Sequence, residues 1–431
     1  MQPLPLDQKT HLLDAVDAAF DRQLEFTEAL VRFPSTRGQE GTCQDFLADA
    51  YSARGLGVDR WQIDPSALCH HPGYAPVTVP YDQAINVVAT HRPRAQTGRS
   101  LILNGHVDVV PTGPIGLWEN PPFEPYRDGD WLYGRGAGDM KAGLGANLFA
   151  FDALRQIGMQ PAAPLYLQSV TEEECTGNGA LAALLRGYRA DAAIIPEPVG
   201  ESLVRTNVGV IWFQVSVSGH PVHVASASSG ANAIDAAAFL IQALKTFERD
   251  RNAKKGEFPA FADIDKPINV NVGKIAGGDW ASSVPAWCTF DVRTGLYPGE
   301  DAHAEARAIE QFLLKASGQH PFLSNNPPKV TFNGFMAEGY ELAPGSDAEA
   351  LLATLHQSVI AEPLSSITSL AYLDARVFAL YADTPCLVYG PHSDNIHGFN
   401  ERVSIESIRR ITKTLALFIA TWCGLEPIQP R

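Results

Sequence analysis

The sequence predicts an α/β fold, a mostly parallel mixed sheet sandwiched by helices, with a second region of α+β character placed inside it. Three observations carry this. Short apolar runs at Ile85 to Thr90, Leu101 to Asn104, Leu165 to Val170 and Ala192 to Ile195 alternate with helical stretches. After Arg205 the pattern changes to β-α-β-β-α-β. At 431 residues the chain is also longer than one ordinary core supports.

Residues 8–33 place Leu12, Val16, Phe20 and Leu24 on one helical face and end before Pro34. Pro65 to Pro80 reads as an irregular loop in which His70 and His71, beside Cys69, are solvated. The strand Leu101 to Asn104 precedes a helix at Lys141 to Ile157, and the strand Pro164 to Val170 precedes an alanine-leucine helix opening near Gly179. In the second region Val210 to Ser218 alternates like a half-buried strand. A helix follows from about Asn232 to Asp250, then strands at Asn269 to Lys274 and Trp287 to Arg293, then a helix after Pro298. Further on, a strand at Pro385 to Tyr389 and a terminal helix with the apolar face Thr414 to Trp422 are expected.

Hydrophobic residues make up 45% of the chain, enough for large cores, while a net charge of -15 argues against the basic face that nucleic-acid binding needs. The six cysteines, at 43, 69, 175, 288, 386 and 423, show no Cys-x-x-Cys spacing and read as reduced core thiols. The opening Met-Gln-Pro-Leu-Pro-Leu-Asp-Gln-Lys lacks a basic start followed by an apolar run. The expectation is a cytoplasmic protein with no membrane span, since Thr414 to Trp422 is far shorter than the ~20 residues a span requires. No repeats or low-complexity tracts appear.

The chemistry gathers at strand ends. Gly105-His-Val-Asp-Val-Val-Pro111 delivers His106 and Asp108 past the strand at Leu101. Residues two apart in extended chain point the same way, so His106 fits a metal ligand and Asp108 the group that holds its tautomer. Gly134-Arg-Gly-Ala-Gly-Asp-Met-Lys141 places Asp139 near a helix start, where a carboxylate is favoured and can bridge two cations. That glycine run is not Gly-x-Gly-x-x-Gly and lacks a following Gly-Lys-Ser/Thr, which argues against a nucleotide loop. Thr171-Glu-Glu-Glu-Cys-Thr-Gly-Asn-Gly179, Pro196-Glu-Pro198 and Gly390-Pro-His-Ser-Asp-Asn-Ile-His397 supply further acids and histidines. A lone His-x-Asp or a glutamate run is ordinarily a solvated surface feature, but here five strand ends supply His, Asp, Glu, Glu and His together. Oxygen and imidazole donors without cysteine suit two zinc ions, with cobalt or manganese as substitutes. Such a pair acidifies water and polarises a carbonyl, and an unligated glutamate moves the proton: amide hydrolysis without a covalent intermediate. Which of Glu172, Glu173 and Glu174 ligates and which acts as base stays open on the residues alone.

These motifs, in this order from Phe33-Pro-Ser35 to His397-Gly-Phe-Asn-Glu-Arg-Val403, resemble the di-zinc family of aminoacylase, acetylornithine deacetylase, succinyl-diaminopimelate desuccinylase and glutamate carboxypeptidase. The resemblance covers nearly the whole chain. It implies a zinc-peptidase-like catalytic domain in two segments, 1–206 and 326–431, and an inserted ferredoxin-like lid and dimerisation domain at 207–325, after which the chain returns to the catalytic domain near Val330. It implies His106, Asp139, Glu174, Glu197 and His397 as ligands to two divalent ions, with Asp139 bridging, Glu173 as general base and Asp108 supporting His106. Glu197 followed by proline resembles the deacylase and glutamate carboxypeptidase branches, and the stretch Trp118 to Pro125 resembles the acetylornithine and desuccinylase group. His392 and Cys175 stand where relatives more often carry glycine, which bears on the substrate pocket and leaves His392 as a second candidate ligand.

The resemblance also gives roles in the lid. His223, with His220 as a nearby competitor, matches a histidine that reaches the partner subunit's site and stabilises the carbonyl oxygen of the tetrahedral intermediate. Arg293, in Phe290-Asp-Val-Arg293, matches an arginine that grips a substrate carboxylate by two hydrogen bonds; its competing role is an ion pair with Asp291. Gly277-Gly278 fits a turn near the pocket. The implied activity is a zinc-dependent deacylase acting on an N-acyl amino acid or related small amide, in a homodimer formed through the lid. The alternatives are a metallo-carboxypeptidase or dipeptidase with the same centre, and a non-catalytic binding protein. An N-formyl heteroaromatic amine, as in some pyrimidine-salvage relatives, would not need Arg293.

Overall fold

A computed structural model describes residues 4–94 and 96–428; Met1 to Pro3, the start of the opening stretch read above, lie outside the described residues. The opening helix Leu6–Val31 buries Leu12, Val16, Phe20 and Leu24 on one face and ends ahead of Pro34. It packs against the helices Ala142–Gln156 and Ile405–Trp422, which also pack on each other. No described helix is long and apolar enough to cross a membrane. The stretch from Pro65 is irregular except for a short helix, Pro65–Leu68, and Cys69 at its end is exposed rather than a core thiol.

The central sheet has six strands in the spatial order Gly57–Gln62, Ile85–His91, Leu165–Ser169, Leu101–Leu103, Ala192–Ile195, Cys386–Val388. The pairings at the Gly57 end are antiparallel, and those from Leu165–Ser169 onward are parallel. Leu101, Ile102, Leu103 and all of Ala192 to Ile195 are 0% exposed, as strands covered on both faces must be. The parallel strands share one direction, so their carboxyl ends meet at one edge, and the chain following each carries a motif singled out above.

The second region follows the expected β-α-β-β-α-β order: Gly209–Ser218, Ala233–Asn252, Val270–Gly277, Trp287–Leu296, Ala302–Ser317, Lys329–Ala337. Its strands form a separate 4-stranded antiparallel sheet in the order Val270–Gly277, Trp287–Leu296, Gly209–Ser218, Lys329–Ala337. Ile211, Phe213, Val215 and Val217 are buried in the core shared with the two helices, while Trp212 and Gln214 alternate onto the other face. The expected return to the first region near Val330 falls inside the last strand of this sheet. Residues 329–337 remain in the second region because Val330 and Phe332 pair with Gly209–Ser218, with an irregularity in register at Asn333 and Gly334. The two chain crossings between the regions lie side by side: a Cβ on Gly339 would meet Asn207 O at 2.6 Å and Gly209 N at 2.7 Å.

Candidate metal centre

Past Leu103 the chain continues the sheet ladder. Gly105 N donates to Gln168 O at 3.1 Å and Val107 N to Val170 O at 3.0 Å, which fixes His106 at the strand end. The His106 side chain is buried, and its Nε2 lies 3.1 Å from Asp139 Oδ1, 3.7 Å from Glu197 Oε1 and 3.9 Å from Glu173 Oε2. The part expected of the Asp108 carboxylate is taken by its main chain. His106 Nδ1 bonds the Asp108 carbonyl oxygen at 2.9 Å, whereas Oδ1 stands 3.6 Å away. The Asp108 carboxylate instead accepts the Glu174 N–H at 3.0 Å and ties two motifs together. Burial, with the carboxylates of Glu174 and Glu172 nearby, pushes Asp108 up to about 6.

Asp139 is not in the first turn of a helix. The helix begins at Ala142, and Asp139 lies in a kinked segment, Ala137–Lys141, with φ -113° and ψ 96°. The buried carboxylate of Glu401 holds this segment: it accepts the N–H groups of Gly136, Gly138 and Asp139, each at 3.0 Å, and an Arg135 Nη1–H at 2.6 Å. Gly136, at φ 80°, supplies the left-handed residue on which the loop turns.

The structure separates the adjacent glutamates. Glu172, at φ 67°, turns into a clamp. Arg37 Nε and Nη2 donate to its two oxygens at 2.6 and 2.7 Å, Tyr81 OH donates at 2.5 Å and Thr176 Oγ1 at 3.0 Å. Glu174 faces His397, with Oε1 at 3.1 Å from Nε2, and Asp139 Oδ2 lies 3.5 Å from the same nitrogen. Glu173 stays beside His106, outside both groups of potential ligands.

Those groups are His106, Asp139 and Glu197, and Asp139, Glu174 and His397; within each, the ligand atoms lie within 4.8 Å of one another, and Asp139 is common to both. The residues fit two divalent cations. The donors are carboxylate and imidazole only, and Glu197 Oε1 is buried without a hydrogen-bond partner among the described residues. The electrostatics agree. Burial, reinforced by neighbouring carboxylates and opposed by His106, pushes Glu173 and Glu197 well above the usual carboxylate range. Burial disfavours the charged forms of His106 and His397, but the surrounding carboxylates outweigh it and raise both. Each of these shifts reflects carboxylates crowded into one place, a crowding that bound cations would offset. When bound, such ions supply Lewis acidity toward a substrate carbonyl and acidify water.

A cavity of about 700 Å³ opens beside Glu173, Glu174 and His397 and reaches across to the second sheet. Arg293 lines it, with Nη2 donating to Leu370 O at 2.6 Å and no acidic partner among the described residues. Asp291, the expected competitor, accepts from Gln214 at 2.8 Å instead. Burial brings the Arg293 guanidinium down to about 10. Gly278, at φ 72°, turns the chain at the end of Val270–Gly277, but neither it nor Gly277 is among the residues lining the cavity. His223 is not brought to the cluster: it lies exposed on the second region, with Nδ1 accepting from Ala225 N at 3.1 Å. His392 also stays outside, 55% exposed at its side chain and 3.7 Å from Asp394. Cys175 is a buried thiol whose pKa is pushed up by burial and by Glu172, and the cysteines are all free. Glu401, Arg37 and Tyr81 complete the site without a local signal in the sequence. Glu401 caps a loop far away in the chain, and nothing in Asn400-Glu401-Arg402 marks that; Arg37 next to Thr36 likewise gives no sign of its partner.

A parallel sheet whose strand ends gather two ligand groups around one shared carboxylate, facing a second sheet across a cavity, defines a metallohydrolase of two regions. The profile of Peptidase family M20/M25/M40 matches residues 102–421, and the chain belongs to this family. It is 29% identical to the N-formyl-4-amino-5-aminomethyl-2-methylpyrimidine deformylase of Bacillus subtilis (strain 168), over 97% of this chain and 99% of that protein. It is 26% identical to the succinyl-diaminopimelate desuccinylase of Delftia acidovorans, over 90% of this chain and 95% of that protein. Human carnosine dipeptidase 1 shares the fold, with a TM-score of 0.77 at 15% identity over 96% of this chain and 99% of that one.

Proposed function

We propose that the chain is a metal-dependent deacylase that hydrolyses the amide of a small N-acyl compound bearing a carboxylate, an N-acyl amino acid or a close analogue. The observation that carries this is Arg293, a cation without an acidic partner among the described residues, in the same cavity as Glu173. Its planar fork suits a carboxylate, and desolvating a guanidinium there is offset only when an anion arrives. His106, Asp139, Glu174, Glu197 and His397 would hold two ions, most simply zinc, with cobalt or manganese as substitutes. Glu173 would accept a proton from water at its carboxylate and deliver it to the leaving nitrogen. The test is amine release from N-acetyl, N-succinyl and N-formyl amino acids and dipeptides by metal-stripped enzyme with zinc or cobalt restored. Metal-dependent turnover of the N-acyl acids supports the reading. Turnover of dipeptides alone moves the enzyme to the peptidase alternative.

A second reading is a deformylase of a carboxylate-free heteroaromatic amine. The near full-length similarity to the Bacillus subtilis deformylase favours it. Arg293 would then be dispensable. The homodimer through the second region also stands as a proposal: Trp280, Ile275 and Val224 are 73, 57 and 51% exposed in the same region as His223, and sedimentation of the free protein decides it.

A further inference from the structure

One row of side chains crosses the second sheet toward the metal centre. Trp212 pairs with Arg293, Arg293 pairs with Asn271, and all of them line the cavity. Opposite Trp212 the strand Lys329–Ala337 loses register: Ile211 pairs with Met336 and Phe213 with Phe332, so Asn333, Gly334 and Phe335 face one residue. Gly334 admits the indole, since a Cβ there would come within 2.6 Å of Trp212 Cε3.

The indole meets Phe335 edge-on, with ring centroids 5.1 Å apart and an interplanar angle of 88°. Phe335 in turn lies 4.5 Å from Tyr372. Tyr372 donates its hydroxyl to Asp374 at 3.0 Å and packs so closely on Gly177 that a Cβ there would meet its oxygen at 1.9 Å. Gly177 N in turn donates to Glu172 O at 2.7 Å, in the turn that carries Glu173 and Glu174. An aromatic wall therefore runs from that turn to Arg293. Among the described residues, no acid other than Asp139, Glu173, Glu174 and Glu197 lines this cavity, so a substrate with a distal ammonium finds no counter-charge outside the metal cluster. Trp212 Nε1–H is buried and has no hydrogen-bond acceptor among the described residues, although buried indole N–H groups ordinarily find one.

We infer that Trp212, Phe335 and Tyr372 form a specificity subsite for an aromatic group lying between the scissile amide and the carboxylate of the substrate. The inference rests on the deacylase reading for the reacting bond, and the wall itself can be tested apart from it. A dicarboxylate that is not hydrolysed, 2-benzylsuccinate, presents one carboxylate to the metals, one to Arg293 and a ring to the wall; 2-methylsuccinate lacks only the ring. Calorimetry on the zinc-loaded enzyme should show benzylsuccinate binding at least about fivefold tighter, from ring contacts with the wall. Trp212→Leu, which keeps an apolar side chain under the fold, should reduce that ratio to about twofold or less, and Trp212→Phe should keep most of it. A wild-type ratio of about twofold or less, or a ratio that survives Trp212→Leu, overturns the subsite. Failure of every N-acyl amino acid to turn over sinks the deacylase reading instead, and the inhibitor ratio still judges the wall.

Discussion

Replacing Arg37 with methionine removes the cation that holds Glu172, and the consequence is worked from the clamp. The Glu172 side chain is 2% exposed, receives two charge-assisted bonds from Arg37 at 2.6 and 2.7 Å, and sits at φ 67°, a conformation a glutamate adopts only when its surroundings enforce it. Breaking a buried pair from one side costs about 3–5 kcal/mol; Arg37 keeps 23% of its side-chain surface in solvent, which screens the pair and favours the low end, about 3 kcal/mol. At roughly 2 °C per kcal/mol for a chain of this size, the melting temperature should fall by about 6 °C. Glu173 and Glu174 follow Glu172 directly, so the released turn displaces them, and a shift on the order of 1 Å costs about 100-fold in kcat. A double-mutant cycle with Glu172→Gln isolates the pair, because the neutral amide no longer needs the cation. The expected coupling is at least about 2 kcal/mol. A coupling below about 0.5 kcal/mol, or a kcat within about threefold of wild type in Arg37→Met, would refute the claim that this clamp sets the turn bearing Glu173 and Glu174.

Four further outcomes are expected. Glu173→Gln should lower kcat by about 10²–10⁴-fold while bound metal, counted by atomic emission, stays unchanged; a loss of metal would make Glu173 a ligand. Asp139→Ala removes the member shared by both ligand groups, so both ions should wash out on dialysis, and retention of two ions would end its bridging role. Arg293→Met should cut kcat/KM by about 100-fold for N-acyl amino acids and leave a neutral N-formyl aminomethylpyrimidine untouched; equal effects on both substrates would deny Arg293 the carboxylate. Glu401→Gln weakens the acceptor that Arg135 and three backbone N–H groups share, and a loss of about 3 kcal/mol in thermal unfolding together with weaker metal binding is expected.

The layout of the central sheet was legible because buried parallel strands leave a plain mark: Leu101 to Leu103 and Ala192 to Ile195 are unbroken apolar runs, and acids follow them. The far bound of the second region was not legible: the return was expected near Val330, yet residues 329–337 pair with Gly209–Ser218, and that pairing is tertiary. Near the metals, the residue types were visible and their division was not. Nothing in Glu-Glu-Glu says that the first takes a positive φ and an arginine from far upstream, because the deciding contact with Arg37 is tertiary. The same holds for Asp108, where alternation correctly placed the side chain near His106, yet the carbonyl, nearer by 0.7 Å as 3.6 against 2.9 Å, holds the ring.

The two sheets divide the work by charge, and the alternation along each strand shows why. In the second sheet, the period of two that buries Ile211 and Phe213 in the region's own core turns Trp212 to the cavity, and the same step on the neighbouring strand buries Val292 and Thr294 while presenting Arg293. A one-residue slip would send Arg293 into the core and Val292 to the cavity, so the row that lines the cavity is fixed by the burial of the residues beside it. The edge of the first sheet gathers acids whose crowding favours bound cations; the second presents Arg293, a desolvated cation without an acidic partner among the described residues. On the deacylase reading proposed above, a carboxylate-bearing amide bound between them with metals in place would meet both demands at once.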